Sequence, residues 1–269
     1  MVHAARVDPD AEPKGLLEVQ GLSKAFRGLQ ALDGYDLTLK PLTIHGIIGP
    51  NGAGKTTLFH LLSGFLRPSA GTIRFDGRDI TGSPAWRVAR LGISRTFQNI
   101  RLFDELSVLD NVKVSMQRRW RSSLVATLVS APSVRHREAE LEEAAIGLLE
   151  MFGLAARRDQ LARNLPYGDQ RRLEIARAVG SQPQLLLLDE PNAGMNPSET
   201  RELLGLIRRL RDELRITIVL VAHDIPLIMG LCDRIQVLNY GKLIAEGDPA
   251  SVRANPEVIA AYLGQARHA

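Results

Sequence analysis

Short apolar runs without alternation recur along the chain, at Ile44–Ile48, Leu185–Leu188 and Ile216–Val221. Runs of this kind predict strands buried on both faces, as in a parallel sheet covered by helices. Other stretches are bounded by turn residues: Leu16–Val19 begins a strand pattern, Asp33–Leu39 alternates as a half-buried strand should, and Gly71–Gly77 and Ile93–Phe97 read as further strands. Ile235–Leu238 and Leu243–Glu246 flank Asn239-Tyr240-Gly241-Lys242, which predicts a hairpin. From about Ser107 to Gly180 the period becomes helical, with a polar break around Ala131-Pro132-Ser133 and with Leu141, Ala145, Leu148, Leu149 and Phe152 on one face. Arg87–Leu91 and Val252–Leu263 add short helical patterns, and no internal repeat is present. The pattern predicts an α/β fold carrying a helical insertion.

One strand-to-helix junction holds recognisable chemistry. Gly49-Pro50-Asn51-Gly52-Ala53-Gly54-Lys55-Thr56-Thr57 follows the run Ile44–Ile48 and precedes a helical start over Thr57–Leu62. In that context the spacing is that of a phosphate-binding loop. Glycine at 49, 52 and 54 permits positive φ and close approach of backbone N–H groups to phosphate oxygens, and the helix N-terminus adds partial positive charge. Lys55 would reach the β- and γ-phosphates, and the Thr56 hydroxyl would ligate Mg²⁺.

Further candidates close other strands. Leu185–Leu188 runs into Asp189-Glu190-Pro191; Asp189 would hold Mg²⁺ through water and Glu190 would polarise an attacking water, or the two acids simply cap the next helix. His223 follows Ile216–Val221, a position where a lone histidine is usually structural. Gln98 closes Ile93–Phe97, as an amide poised over a ligand or as an ordinary surface residue. Phe26 falls in the polar, glycine-bearing turn Ser23–Gly28, where an exposed ring would stack on a purine and a buried one would be core.

The hydrophobic share of 45% and charged share of 24% are those of a globular protein, which excludes disorder beyond the ends. No segment approaches the roughly 18 consecutive apolar residues that span a bilayer. Met1–Gly15 lacks the apolar centre of a secretion signal, so the expectation is a cytosolic chain unless a partner holds it at a membrane. The single cysteine, Cys232, has no internal partner and is expected as a core thiol in a reducing compartment. A net charge of +4 and pI near 9.4 leave nucleic acid and anionic lipid surfaces open as partners. Arg118, Arg119 and Arg121 around Trp120 would meet lipid headgroups or form a solvated basic face.

In the order of these elements, from about Leu16 to Gly264, the chain resembles the nucleotide-binding subunits of ATP-binding cassette (ABC) transporters. The resemblance implies a P-loop NTPase core with a mainly parallel sheet, an N-terminal antiparallel β part and a helical subdomain at about 99–180. These would form a single domain over 16–264, between a flexible leader, 1–15, and a tail, 265–269. It also implies roles: Phe26 as the adenine-stacking aromatic, Gly49–Thr57 as the Walker A loop, Gln98 as the Q-loop glutamine that joins Thr56 and Asp189 at Mg²⁺, and Leu165-Pro166-Tyr167-Gly168-Asp169-Gln170 as the signature motif. Leu185–Asp189 would be the Walker B strand, Glu190 the catalytic carboxylate, Ala193–Asn196 the D-loop and His223 the switch histidine. Such domains pair head to tail, with each ATP between the Walker A loop of one subunit and the signature residues Tyr167, Gly168 and Asp169 of the other.

A finer resemblance rests on Arg95–Phe103, Tyr167–Arg177, Ala193–Pro197 and Asn255–Gly264, which look like the branched-chain amino-acid importer ATPases. Importers for urea or short amides share the pattern, and the lipopolysaccharide-export ATPase is similar in its middle part. The resemblance implies ATP and Mg²⁺ as cofactors, a homodimer or heterodimer, membrane permease subunits, a solute-binding protein indirectly, and a peripheral place on the cytoplasmic face of the inner membrane, without nucleic acid. The rival is a soluble cassette ATPase acting on nucleic acid or ribosomes, but those usually carry two cassettes or a long coiled-coil insertion, and 269 residues hold neither. Three departures from the pattern stand out: Pro166 replaces a serine and offers neither hydroxyl nor N–H, Asn196 replaces a D-loop aspartate, and Leu42-Thr43 stands where Gly-Glu is common. Reduced or re-tuned activity at most is the expectation, because Lys55, Thr56, Asp189, Glu190 and His223 are intact.

Overall fold

A computed structural model describes residues 15–117, 132–222 and 225–263. Leader residues 1–14, the Arg118–Arg121 cluster, His223 and the tail from 264 lie outside the described residues.

Strands β1 (Leu17–Phe26), β2 (Leu29–Leu39), β4 (Ala70–Phe75) and β5 (Arg78–Asp79) form an antiparallel sheet in the order β2-β1-β4-β5. Strands β3 (Ile44–Ile48), β6 (Ile93–Arg95), β7 (Leu185–Asp189), β8 (Thr217–Val221), β9 (Arg234–Asn239) and β10 (Lys242–Gly247) form a second sheet in the order β10-β9-β3-β8-β7-β6. All its pairings are parallel except the β9–β10 hairpin. Every residue of β3, β7 and β8 is buried, which is why these segments read as apolar runs.

Side-chain alternation divides those strands between two cores. Ile44, Ile48, Leu186, Leu188, Ile218 and Leu220 pack with the helices, including Val112, Ala145, Leu149, Leu173 and Leu206. Ile47, Leu187, Val219 and Val221 pack with the antiparallel sheet and with Leu58 and Phe59. The parallel sheet is thus the middle layer. Between adjacent strands β6 and β7 the chain makes a long excursion that contains helices Val108–Met116, Pro132–Met151 and Tyr167–Gly180. Leu141, Ala145, Leu149 and Phe152 form the buried stripe of that excursion, with Leu148 only partly buried.

The structure corrects one expectation. Ser23–Phe26 is not a turn but the end of β1, whose Phe26 pairs with Leu29; the turn is confined to Arg27-Gly28. Cross-strand pairing overrides the polar composition here. Cys232 is a buried free thiol whose ionisation is pushed up by burial, then by Asp233. Among the described residues no helix is long and apolar enough to cross a membrane.

A buried polar group sits at the sheet's centre. His45, 2% exposed on β3, has its Nε2 without a hydrogen-bond partner, and burial holds its pKa down at about 4. Its neighbour Gln236 donates to Glu246 at 2.9 Å and accepts from the Tyr35 hydroxyl. Since the ordinary histidine value is 6.5, the unfolded chain takes up this proton first as pH falls, so stability present above pH 6.5 is lost towards pH 4. Relative to His45→Gln, the wild-type protein should lose about 2 kcal/mol of unfolding free energy between pH 7 and pH 5. Urea melts of both proteins across that range check this, and parallel curves would refute it.

Candidate functional site

The loop Gly49–Gly54 leaves the C-terminal end of β3 and enters the helix Lys55–Leu62. Two of its glycines are dictated by their surroundings. Gly49 has φ 153°, and a Cβ there would lie 2.1 Å from the Leu238 carbonyl oxygen of β9; Gly54 has φ 102°, and its Cβ would lie 2.5 Å from the Ala31 oxygen of β2. The loop is also pinned by Gly241 N–H donating to the Ala53 carbonyl at 3.0 Å. The first helical bond is Leu58 N–H to Gly54 O, and Gly54 supplies no side-chain cap, so the N–H groups of residues 55–57 form the positive end of the helix. Lys55 is buried and donates to the carbonyls of Gly49 at 2.5 Å and Pro50 at 2.8 Å. Burial lowers its pKa, opposed by the charges of Glu190 and Asp189.

Asp189 ends β7, beyond β8 in the sheet, and Glu190 follows it. Asp189 is buried and ion-paired with Arg95 at 2.8 Å, and the Arg95 guanidinium lies 5.5 Å from the Phe59 ring and 5.1 Å from the Phe97 ring. Glu190 has φ 47°, a region costly for a residue with a Cβ. Its N–H still continues the sheet to Val221 O at 2.9 Å, while its carbonyl accepts from Ala193 N–H at 3.1 Å, so the chain turns sharply at this residue. The Glu190 carboxylate accepts from the Gln98 amide at 3.3 Å.

These groups share one cavity of about 510 Å³, lined by Asn51–Thr57, Gln98, Glu190, Leu29, Gln30, Ala31 and Tyr240. Lys55, Thr56, Thr57, Gln98 and Glu190 are therefore brought together. Phe26 is not among the lining residues; it is 41% exposed at the end of β1, with the Lys24 ammonium 5.1 Å from its ring. Leu29 and the 83% exposed Tyr240 stand at the mouth instead.

Tyr167, Gly168 and Asp169 do not line the cavity; they begin the helix Tyr167–Gly180. Pro166 provides no side-chain cap, and the first helical bond is Gln170 N–H to Pro166 O, which leaves the N–H groups of these three residues outside the helical ladder. The Asp169 carboxylate is held by Arg157 at 3.0 Å and Arg172 at 2.9 Å. Tyr167 packs against Gly194, where a Cβ would stand 2.8 Å from the ring. Asn196 caps the helix Pro197–Asp212, accepting from Ser198 N–H at 2.9 Å and Glu199 N–H at 3.0 Å, while Glu199 accepts from Asn196 N–H. Leu42 adopts φ 61°, the conformation for which glycine would be the ordinary choice.

Several contributors carry no signal in the sequence. Arg95 reads as a strand residue, Tyr240 as a hairpin tip, and Tyr262 as part of a terminal helix, although its hydroxyl meets the Gly49 backbone and burial raises its pKa.

A family model described as ABC transporter matches residues 32–193, and one described as branched-chain amino acid ATP-binding cassette transporter matches residues 242–268. The chain is 47% identical over 93% of its length to the high-affinity branched-chain amino acid transport ATP-binding protein LivG of Escherichia coli, covering 98% of that protein. It is 45% identical, with the same coverage, to the corresponding protein BraF of Pseudomonas aeruginosa. Among solved structures, the ADP conformation of an ATP-binding cassette of an ABC transporter matches with a TM-score of 0.79 and 29% identity, over 93% of this chain and 98% of that one.

Proposed function

The chain belongs to the ABC transporter family, beside the branched-chain amino acid transport ATP-binding proteins, and from that premise we propose that it is the ATP-hydrolysing subunit of a branched-chain amino acid importer. The observation that carries the chemistry is the convergence of Lys55, Thr56, Gln98 and Glu190 on one cavity at the carboxyl ends of β3 and β7.

Phosphate oxygens would take over the Lys55 ammonium from the Gly49 and Pro50 carbonyls, and the N–H groups of the loop and first helical turn would neutralise the remaining charge. Glu190 would orient and deprotonate the attacking water, steadied by its hydrogen bond from Gln98. Of the hard oxygen donors expected for Mg²⁺, the Thr56 hydroxyl and the Gln98 amide line the cavity, whereas the Asp189 carboxylate is buried off that lining and paired with Arg95, so it would act on the ion through water. Among the described residues no three acids, histidines or cysteines cluster, which suits an ion held largely by phosphate and water. When bound, Mg²⁺ would supply charge neutralisation between phosphates.

The free N–H groups of Tyr167, Gly168 and Asp169 lie off this cavity, and we assign them to the nucleotide of a second cassette, so that the working unit is a dimer. Because the Asp169 side chain is engaged by two arginines, its contribution there is the backbone. For the base we keep two aromatic candidates, Tyr240, which lines the cavity, and Phe26, which is exposed at the end of β1 but does not line it. The membrane subunits we place at the cleft of about 430 Å³ that bears the exposed rings of Phe65 and Trp86, since exposed apolar rings beside a cleft mark an interaction face.

The test is reconstitution of the protein with its membrane subunits in vesicles. Leucine, isoleucine or valine, supplied with the binding protein, should raise ATP hydrolysis at least about fivefold and accumulate inside. Stimulation by urea or amides alone, or lipopolysaccharide movement, would overturn the substrate assignment and leave the ATPase reading standing.

A further inference from the structure

Gln98 sits on an exposed loop after β6, where the sheet no longer holds the backbone: the last backbone–backbone bond to β7 is Thr96 N–H to Leu187 O at 3.0 Å. Beyond it the loop's polar groups are taken up by side chains of the helix Tyr167–Gly180: Arg177 donates to the Arg101 carbonyl, and Arg171 and Glu174 hold the residues around Gln98. Arg171, fully buried, donates from Nη1 to the Phe97 carbonyl at 2.7 Å and from Nη2 to the Gln98 carbonyl at 2.8 Å. Glu174, also buried, accepts from the N–H groups of Phe97 and Arg101, both at 3.3 Å. The two side chains pair with each other at 2.8 Å, and Arg171 Nη2 reaches the Tyr167 hydroxyl at 3.3 Å.

A buried ion pair is a poor device for stability, because apolar side chains of the same volume usually serve as well or better. What apolar side chains cannot do is hold four backbone groups of a loop in fixed directions. We propose that Arg171 and Glu174 are positioning residues for Gln98: they fasten the loop 97–101 to the helix that begins with Tyr167-Gly168. The distance between the Gln98 amide and Glu190 is then set by where that helix lies. One guanidinium touches both the helix start and the Gln98 carbonyl, so a rotation of the helix carries the glutamine with it. The inference rests on the reading of Gln98 and Glu190 as groups that act on ATP.

Arg171→Met keeps the volume and removes the donors; Glu174→Gln is isosteric and removes the charge. In whichever variant melts within a few degrees of wild type, two results are expected. Hydrogen exchange of the amides over 97–101 should rise at least about tenfold, while exchange in β3 and β8 stays unchanged. Turnover should fall at least about tenfold with the ATP dissociation constant within about twofold, a split that general damage to the fold would not give. Unchanged exchange over 97–101, or a loss of turnover matched by an equal loss of ATP affinity, overturns the proposal. A wild-type protein that never hydrolyses ATP would count against the ATPase reading alone, and the exchange result would still decide whether the clamp exists.

Discussion

Glu190→Gln is expected to lower ATP turnover by about a thousandfold while leaving ATP affinity within about threefold, the loss typical of removing a general base. The substitution preserves size and keeps an oxygen that can accept from the Gln98 amide, so the local bond survives. The backbone strain at φ 47° is the same for both side chains, and the sheet bond to Val221 does not depend on the side chain. What disappears is the negative charge that draws a proton from water. With binding intact and cleavage blocked, the nucleotide-bound dimer should accumulate. Size-exclusion chromatography with Mg²⁺ and ATP, beside a phosphate-release assay, reads both effects. Turnover within threefold of wild type would remove Glu190 from this role.

Lys55→Ala should fail one step earlier. Charge-assisted hydrogen bonds contribute about 1.5–3 kcal/mol each, and loss of the ammonium at the phosphates is expected to weaken ATP binding by about a hundredfold. The loop itself also suffers, since the carbonyls of Gly49 and Pro50 lose the donor they share. Arginine is a poor substitute, because a planar fork does not fit where a compact ammonium is enclosed. Titration calorimetry with ATP separates the two variants: Glu190→Gln binds and stalls, whereas Lys55→Ala binds about a hundredfold more weakly. An unchanged dissociation constant in Lys55→Ala would refute the assignment of this loop as the phosphate cradle.

Much of the molecule follows from local pattern. Ile44–Ile48, Leu185–Leu188 and Ile216–Val221 are apolar throughout because both faces of their strands are covered, and a continuous run is the only sequence that satisfies such a position. The phosphate loop is legible for the same reason: its chemistry is packed into consecutive residues whose spacing is set by the turn. The hairpin around Tyr240-Gly241, with positive φ at both residues, is equally local.

The rest depends on which strands lie side by side. Arg95 meets Asp189 across 94 residues, Gln98 meets Glu190 across 92, and Arg171 reaches Gln98 across 73. No periodicity encodes such meetings, because they exist only once β6, β7 and the helix Tyr167–Gly180 have packed. Tertiary structure likewise drew Ser23–Phe26 into β1, turned the Asp169 carboxylate onto Arg157 and Arg172, and gave Asn196 a helix to cap. The sequence alone therefore determined the buried strands, the β9–β10 hairpin and the phosphate loop, whose causes lie within a few neighbouring residues. Packing decided which distant side chains hold and aim the reacting groups, since a single ordered contact between remote segments becomes affordable only when the core has already paid the entropy of bringing them together.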